Sequence, residues 1–292
     1  HYSLLMSAHV LGIGMEGVIK VTTDHHGVMC MDALREAIES CDRAPFCVVA
    51  TAGTTVRGAF DPISEIADLC EEHGLWLHVD AALGAPCLFS PELDHLMAGL
   101  ERADSLTWDP HKLMGVPLTC STLLTPHKGA LAATCSYVQS AHYLFHVPGE
   151  EYDLGRTSLQ CGRRVDSLKL WIEWKAVGTD GWRERVERYV ALAAQLEWMV
   201  ESDENLELCS PRVFTNVCFR WLEPGLAGQD LNKFNEAVRQ EILERGNTMV
   251  SLAIVEGKTI LRPVICNPAA DQSSLDALLA EVHEVAAIIR AE

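Results

Sequence analysis

The stretch FCVVATAGTTVRGAFDPISEIADLCEEHGLWLHVD, residues 46–80, decides the fold. Residues 46–50 are a nearly continuous apolar run, which reads as a strand covered on both faces. Asp61 follows as the expected cap of a helix, with Pro62 in its first position, Ile63, Ile66 and Leu69 on one face, and Gly74 as its stop. Residues 75–79 make a second apolar strand. Strand, helix and strand in this order are the pattern of a mostly parallel sheet covered by helices.

The same alternation extends to either side. Residues 31–41 predict a helix, with Leu34 and Ile38 four apart, and residues 105–108 and 120–124 predict further strands. Residues 136–157 mix aromatics with His146, Pro148, Gly149 and Gly155 and show no clean period, so they read as a long loop of the lid type. Two long helices are expected at 165–177 and 182–201, separated by residues 178–181. The remainder alternates as strand 216–221, helix 231–244, strands 248–255 and 259–265, and a final helix 273–290. The expectation is an α/β large domain over residues 1–165 and, over 166–292, connecting helices with a smaller α+β domain. The opening His1 enters what reads as mid-domain sequence, so an N-terminal part is expected to be missing.

Composition bounds the function. The chain has 292 residues and a formal net charge of −18. A chain this long buries roughly 75% of its unfolded surface and needs no staple. So acidic a surface repels phosphate backbones, which argues against a nucleic-acid partner. The eleven cysteines are scattered, with no CxxC or Cys/His clustering, and read as reduced small hydrophobes of a cytoplasmic protein without a metal site. No apolar run approaches a membrane span.

Three polar positions fall where strands end: Thr51, Asp80, and the pair His111 and Lys112 behind Ser-Leu-Thr-Trp-Asp-Pro. Ligands of open α/β sheets bind at the carboxyl ends of strands, so these positions are expected to converge on one crevice. A lysine can form a Schiff base with an aldehyde, and a sheltered aspartate can keep a pyridine nitrogen protonated; pyridoxal 5'-phosphate needs both. Taken singly, each has a plainer reading, Asp80 as a turn former and Lys112 as a surface charge. His78, inside its strand, reads as a satisfied core histidine.

The segments Ala50-Thr-Ala-Gly-Thr-Thr, Trp76-Leu-His-Val-Asp-Ala-Ala and Ser105-Leu-Thr-Trp-Asp-Pro-His-Lys-Leu-Met-Gly-Val-Pro-Leu resemble those of the group II pyridoxal-phosphate decarboxylases, of fold type I. Tyr143-Leu-Phe, Gln160-Cys-Gly-Arg-Arg-Val-Asp, Leu168-Lys-Leu-Trp and Thr215-Asn-Val-Cys-Phe are similar to the glutamate and cysteine sulfinate decarboxylase branch. The resemblance implies a small acidic amino acid as substrate (glutamate, cysteine sulfinate or aspartate) and a homodimer. It also implies that Lys112 carries the cofactor, His111 lies near its phosphate, and Asp80 pairs with the ring nitrogen. Ala82 and His1 would pack on the two ring faces, with Thr51 at the polar edge. Tyr143, on the mobile catalytic loop, would protonate the substrate α-carbon, and Arg262 would grip the α-carboxylate. Where the family reads Asn-Pro-His-Lys, this chain has Asp109, expected to lose a donor to the phosphate and to add a like charge. A related aminotransferase or lyase, and a non-catalytic relative of the same fold, remain open at this point.

Overall fold

The structure is a computed structural model that describes residues 1–135, 154–160 and 162–291. Its first sheet has the order β1-β2-β3-β4. Strands β1 (Cys47–Thr51), β2 (Trp76–Asp80) and β3 (Ser105–Trp108) run parallel, and β4 (Thr122–Leu124) closes the edge antiparallel to β3. Along β1 and β2 burial alternates: Val48, Ala50, Leu77 and Val79 are buried, whereas Cys47, Val49, Thr51, His78 and Asp80 are only half-buried. The expectation of equal cover on both faces is therefore corrected. The side chains of one face pack into the core, and those of the other, carrying the polar groups, are more open.

Helix α1 (Tyr2–Val10) precedes the sheet, α2 (Met31–Glu39) lies before β1, and α3 (Ile63–His73) joins β1 to β2. Gly74 stops α3 with a left-handed φ of 65°, its amide bonding to the Cys70 and Glu71 carbonyls, as its position predicts. Asp61 does not cap α3. The helix begins one residue later than expected, without a side-chain cap, and the buried Asp61 carboxylate accepts the Thr51 amide at 2.7 Å and the Met29 amide at 2.8 Å. Backbone amides at a strand end compete for the same acceptor as a helix terminus, and here they win.

Beyond β4 lie α4 (Ala130–Thr134) and a 3-10 turn, Leu154–Thr157. The expected loop over 136–157 falls, for residues 136–153 and thus for Tyr143, outside the described residues. Helix α5 (Asp166–Glu201) contains both expected helices, interrupted at Gly178 alone, with φ 72° and ψ 169°. The second sheet is antiparallel throughout, in the order β5-β6-β8-β7: β5 (Leu206–Ser210), β6 (Cys218–Trp221), β7 (Ser251–Val255) and β8 (Lys258–Arg262). Helices α6 (Gly228–Arg245) and α7 (Gln272–Ala291) complete this part. The buried amide of Asn235 ties α6 to the sheet by accepting the Trp221 amide at 2.8 Å and donating to the Trp221 carbonyl at 3.0 Å. One core runs through both sheets, and the rings of Phe60 and Phe214 meet edge-on at 5.5 Å across it.

The loops that leave β1 and β2 touch through two glycines. Gly84 donates to the Ala52 carbonyl at 3.2 Å. A Cβ on Gly84 would stand 2.5 Å from that carbonyl oxygen, and one on Gly53, at φ 84°, would stand 2.9 Å from the Gly84 amide nitrogen. Gly84→Ala is expected to lower unfolding free energy by about 1–3 kcal/mol, as overpacking against a fixed backbone does. Urea denaturation checks this, and a variant as stable as the parent would contradict the close approach.

Candidate active site

The parallel register places Thr51 opposite Asp80 and Asp80 opposite Thr107, so three strand ends present a polar row at one edge of the sheet. The ladder continues past the strands. Ala52 donates to the Asp80 carbonyl at 2.9 Å and Ala81 to the Thr107 carbonyl at 3.0 Å, which fixes the first residue of each connection. The Ala82 amide donates to the Asp80 carboxylate at 3.1 Å and so fixes the aspartate's orientation, while Ala82 itself stays half-buried.

Lys112 lies four residues past the end of β3, in a tight turn where its amide donates to the Asp109 carbonyl at 2.9 Å. Leu113 and Met114 are fully buried and anchor the turn. Arg185, stacked over Trp182 at 4.6 Å, donates to the Met114 carbonyl at 3.2 Å and ties the turn to the distal half of α5. The Lys112 ammonium meets the Asp109 carboxylate at 3.1 Å. The charge added by Asp109 is therefore not left unpaired. Beside them the His111 Nδ1 lies against the Cys120 backbone, 2.7 Å from its carbonyl oxygen and 3.2 Å from its amide nitrogen.

His78 is satisfied, as expected, but within a chain of polar groups. Trp76 Nε1 donates to Ser105 Oγ at 2.8 Å, that hydroxyl lies 2.8 Å from His78 Nδ1, and Nε2 lies 3.2 Å from Thr107 Oγ1. Burial lowers the pKa of His78, with the nearby Asp80 charge opposing it. The ring is thus held neutral beside the carboxylate.

The second sheet reaches the same region. The loop after β1 offers the Thr55 and Val56 carbonyls. Asn216 Nδ2 donates to both at 3.0 Å, Cys218 Sγ to Val56 at 3.2 Å, and Arg262 to Thr55 at 2.5 Å. Arg262 Nε is buried and has no hydrogen-bond partner among the described residues, and burial lowers the pKa of this guanidinium. His1 stands exposed at the start of α1, where its ring bonds to Ser3 Oγ at 2.8 Å. Tyr143 lies outside the described residues. Sequence reasoning missed Asn216 as a clasp and Arg185 as an anchor. The first lies inside a recognised motif, but nothing in the chain around the second marks it.

Among the described residues there is no group of side chains able to hold a metal ion, and no helix is long and apolar enough to cross a membrane. The donor set suits an aldehyde cofactor with a basic ring: a half-exposed amine, a carboxylate oriented by a backbone amide, and a guanidinium with a spare buried N–H. The sequence profile of the pyridoxal-dependent decarboxylase conserved domain matches residues 1–222, and the chain belongs to this family, whose cofactor is pyridoxal phosphate. Within it, the chain is 38% identical over 297 residues to the acidic amino acid decarboxylase GADL1 of Bos taurus, covering 97% of this chain and 57% of that protein. The Mus musculus protein of the same name is 39% identical, with 98% and 54% covered. The chain thus spans little more than half the length of these curated relatives. The crystal structure of mouse CSAD superposes with a TM-score of 0.90 at 36% identity, covering 98% of this chain and 62% of that one. Oryza sativa TDC with PLP and tryptamine gives 0.91 at 25% identity, with 99% and 61% covered.

A half-buried histidine whose pKa is lowered makes stability depend on pH. The unfolded chain binds a proton at His78 from about pH 6.5 downward, whereas the folded chain, its pKa lowered, binds it only at lower pH. Stability is therefore full above about pH 6.5 and is lost as pH falls toward the folded value. His78→Gln is expected to lower the urea midpoint at pH 7.5 yet flatten its fall between pH 7 and about 5.5. Parallel curves for the two proteins would refute the assignment.

Proposed function

We propose that this chain acts as a pyridoxal-phosphate-dependent decarboxylase on an acidic L-amino acid: glutamate, cysteine sulfinate or aspartate. Bound pyridoxal phosphate supplies the electron sink that makes loss of carbon dioxide from an amino acid feasible. The remaining work falls to the chain's own groups. Lys112 offers the amine for covalent attachment, and Asp80 keeps the ring nitrogen protonated, so stabilisation increases as negative charge develops. Ala82 and His1 cover the ring faces, with Thr51 at the polar edge and His111 and Asp109 on the phosphate side. Arg262 binds the substrate α-carboxylate, for which a planar fork of donors is suited. Tyr143 delivers the proton to the α-carbon.

The observation that carries this reading is the polar row Thr51, Asp80 and Thr107 at one sheet edge, with the Lys112 turn leaving the end of the same β3. The unsatisfied Nε of Arg262 supports a carboxylate ligand, because a buried N–H without a partner costs about 1–3 kcal/mol. Residues 1–165 would form the cofactor-binding part, and residues 166–292 the connecting helices and small domain. Exposed Tyr2, Met6 and Val10 on α1 suit burial against a second subunit, in keeping with a homodimer. The ten described cysteines are all free, which suits a cytoplasmic setting.

Release of carbon dioxide from a panel of amino acids tests the reading. Turnover is expected for acidic substrates, and none for aromatic ones. Lys112→Ala should abolish both turnover and the borohydride-fixed cofactor adduct; a persisting adduct would remove the central assignment. Arg262→Met should raise KM about 10-fold or more, and Tyr143→Phe should raise the share of abortive transamination. Wild-type values would refute each role in turn.

A further inference from the structure

The turn that carries Lys112 also carries its counter-ion. Pro110 stiffens the turn, the Lys112 amide closes it on the Asp109 carbonyl, and the two side chains meet at 3.1 Å. Their exposures differ in a useful sense: the carboxylate side chain is 13% exposed and the amine 38%, so the acceptor is sheltered while the nucleophile can be reached. The other charges nearby are committed elsewhere. Asp166 and Lys169 pair with each other at 2.7 Å, Lys169 also donates to the Thr119 carbonyl, and His111 is turned to the Cys120 carbonyl.

We propose that Asp109 is the resident counter-ion of the Lys112 nitrogen, both before and after the cofactor is attached. This rests on the reading of Lys112 as the attachment point. An ammonium has no lone pair, so one proton must leave before nitrogen can bond to the aldehyde carbon. A carboxylate is a far weaker base than an amine, so that proton leaves the half-exposed Nζ for solvent, and the paired Asp109 opposes its loss. The nitrogen lone pair then forms the N–C bond, the carbonyl oxygen takes up one proton from nitrogen and one from solvent, and the C–O bond breaks to release water as the C=N bond forms. One N–H proton remains on the Schiff-base nitrogen. Asp109 stays a carboxylate throughout, facing a cation in place of the ammonium.

Asp109→Asn and Asp109→Glu test this with two readouts. In protein stripped of cofactor with hydroxylamine, limiting acetic anhydride should acetylate Lys112 several-fold faster in Asp109→Asn, relative to the exposed Lys233. Asp109→Glu should stay near the parent. In protein loaded with pyridoxal phosphate, the visible band of the protonated Schiff base should give way to the deprotonated form at a pH lower by about one unit or more in Asp109→Asn. The glutamate variant should restore it. Unchanged acetylation and an unmoved titration, with the borohydride-fixed adduct intact on residue 112, would overturn the role of Asp109 alone. A parent protein without that adduct would overturn the cofactor reading and with it the Schiff-base half. The acetylation readout needs no cofactor, so the two failures are separable.

Discussion

The parallel ladder of β1, β2 and β3 is the constraint on which the rest of the site depends. Parallel pairing puts the carboxyl ends of all three strands at one edge, and the register Thr51, Asp80, Thr107 lines up their last polar side chains. A shift by one residue would turn every one of these groups to the opposite face. The buried faces of Val48, Ala50, Leu77 and Val79 make such a shift expensive, because it would bring Thr51, His78 and Asp80 into the core. Hydrophobic burial on one face therefore sets the geometry of the chemistry on the other.

Around that edge contacts with backbone add to the side-chain pairs His78 with Thr107 and Lys112 with Asp109. Asp61 accepts the Thr51 amide, Ala82 donates to Asp80, and Arg185 holds the Met114 carbonyl below Lys112. Side chains locked in this way need little reordering when a ligand arrives, which is the condition for electrostatic stabilisation in a site. The second sheet contributes by grasping the loop after β1. Asn216 and Arg262 share the Thr55 carbonyl, so a group proposed to bind substrate is also a strut between the two sheets.

Legibility in the sequence followed the range of the forces involved. Gly74 and β3 are read correctly because a left-handed stop and a short alternating strand are local matters. Strand β5 escapes notice because Glu207 interrupts its apolar pattern. Its charge is satisfied only by Arg220 and Lys258 from other strands. Helix α1 escapes because it lacks a polar stripe, and its apolar side chains Tyr2, Met6 and Val10 remain exposed. Asp61 is misread as a cap because the rule for helix starts weighs only nearby amides, whereas its real partners are Met29 and Thr51.

By itself the sequence determined the α/β order of elements, the family, and the identity of the groups at the strand ends, since all of these are encoded in local pattern and motif. Tertiary structure alone decided which charges meet. From the chain, Asp109 reads as an unwelcome anion, and the folded turn makes it the partner of Lys112. Likewise Arg262 is a strand residue until folding sets it on the Thr55 carbonyl with one buried N–H to spare. The physical reason is that electrostatic and hydrogen-bond partners are chosen by distance in space, and 207 residues of chain separate Thr55 from Arg262.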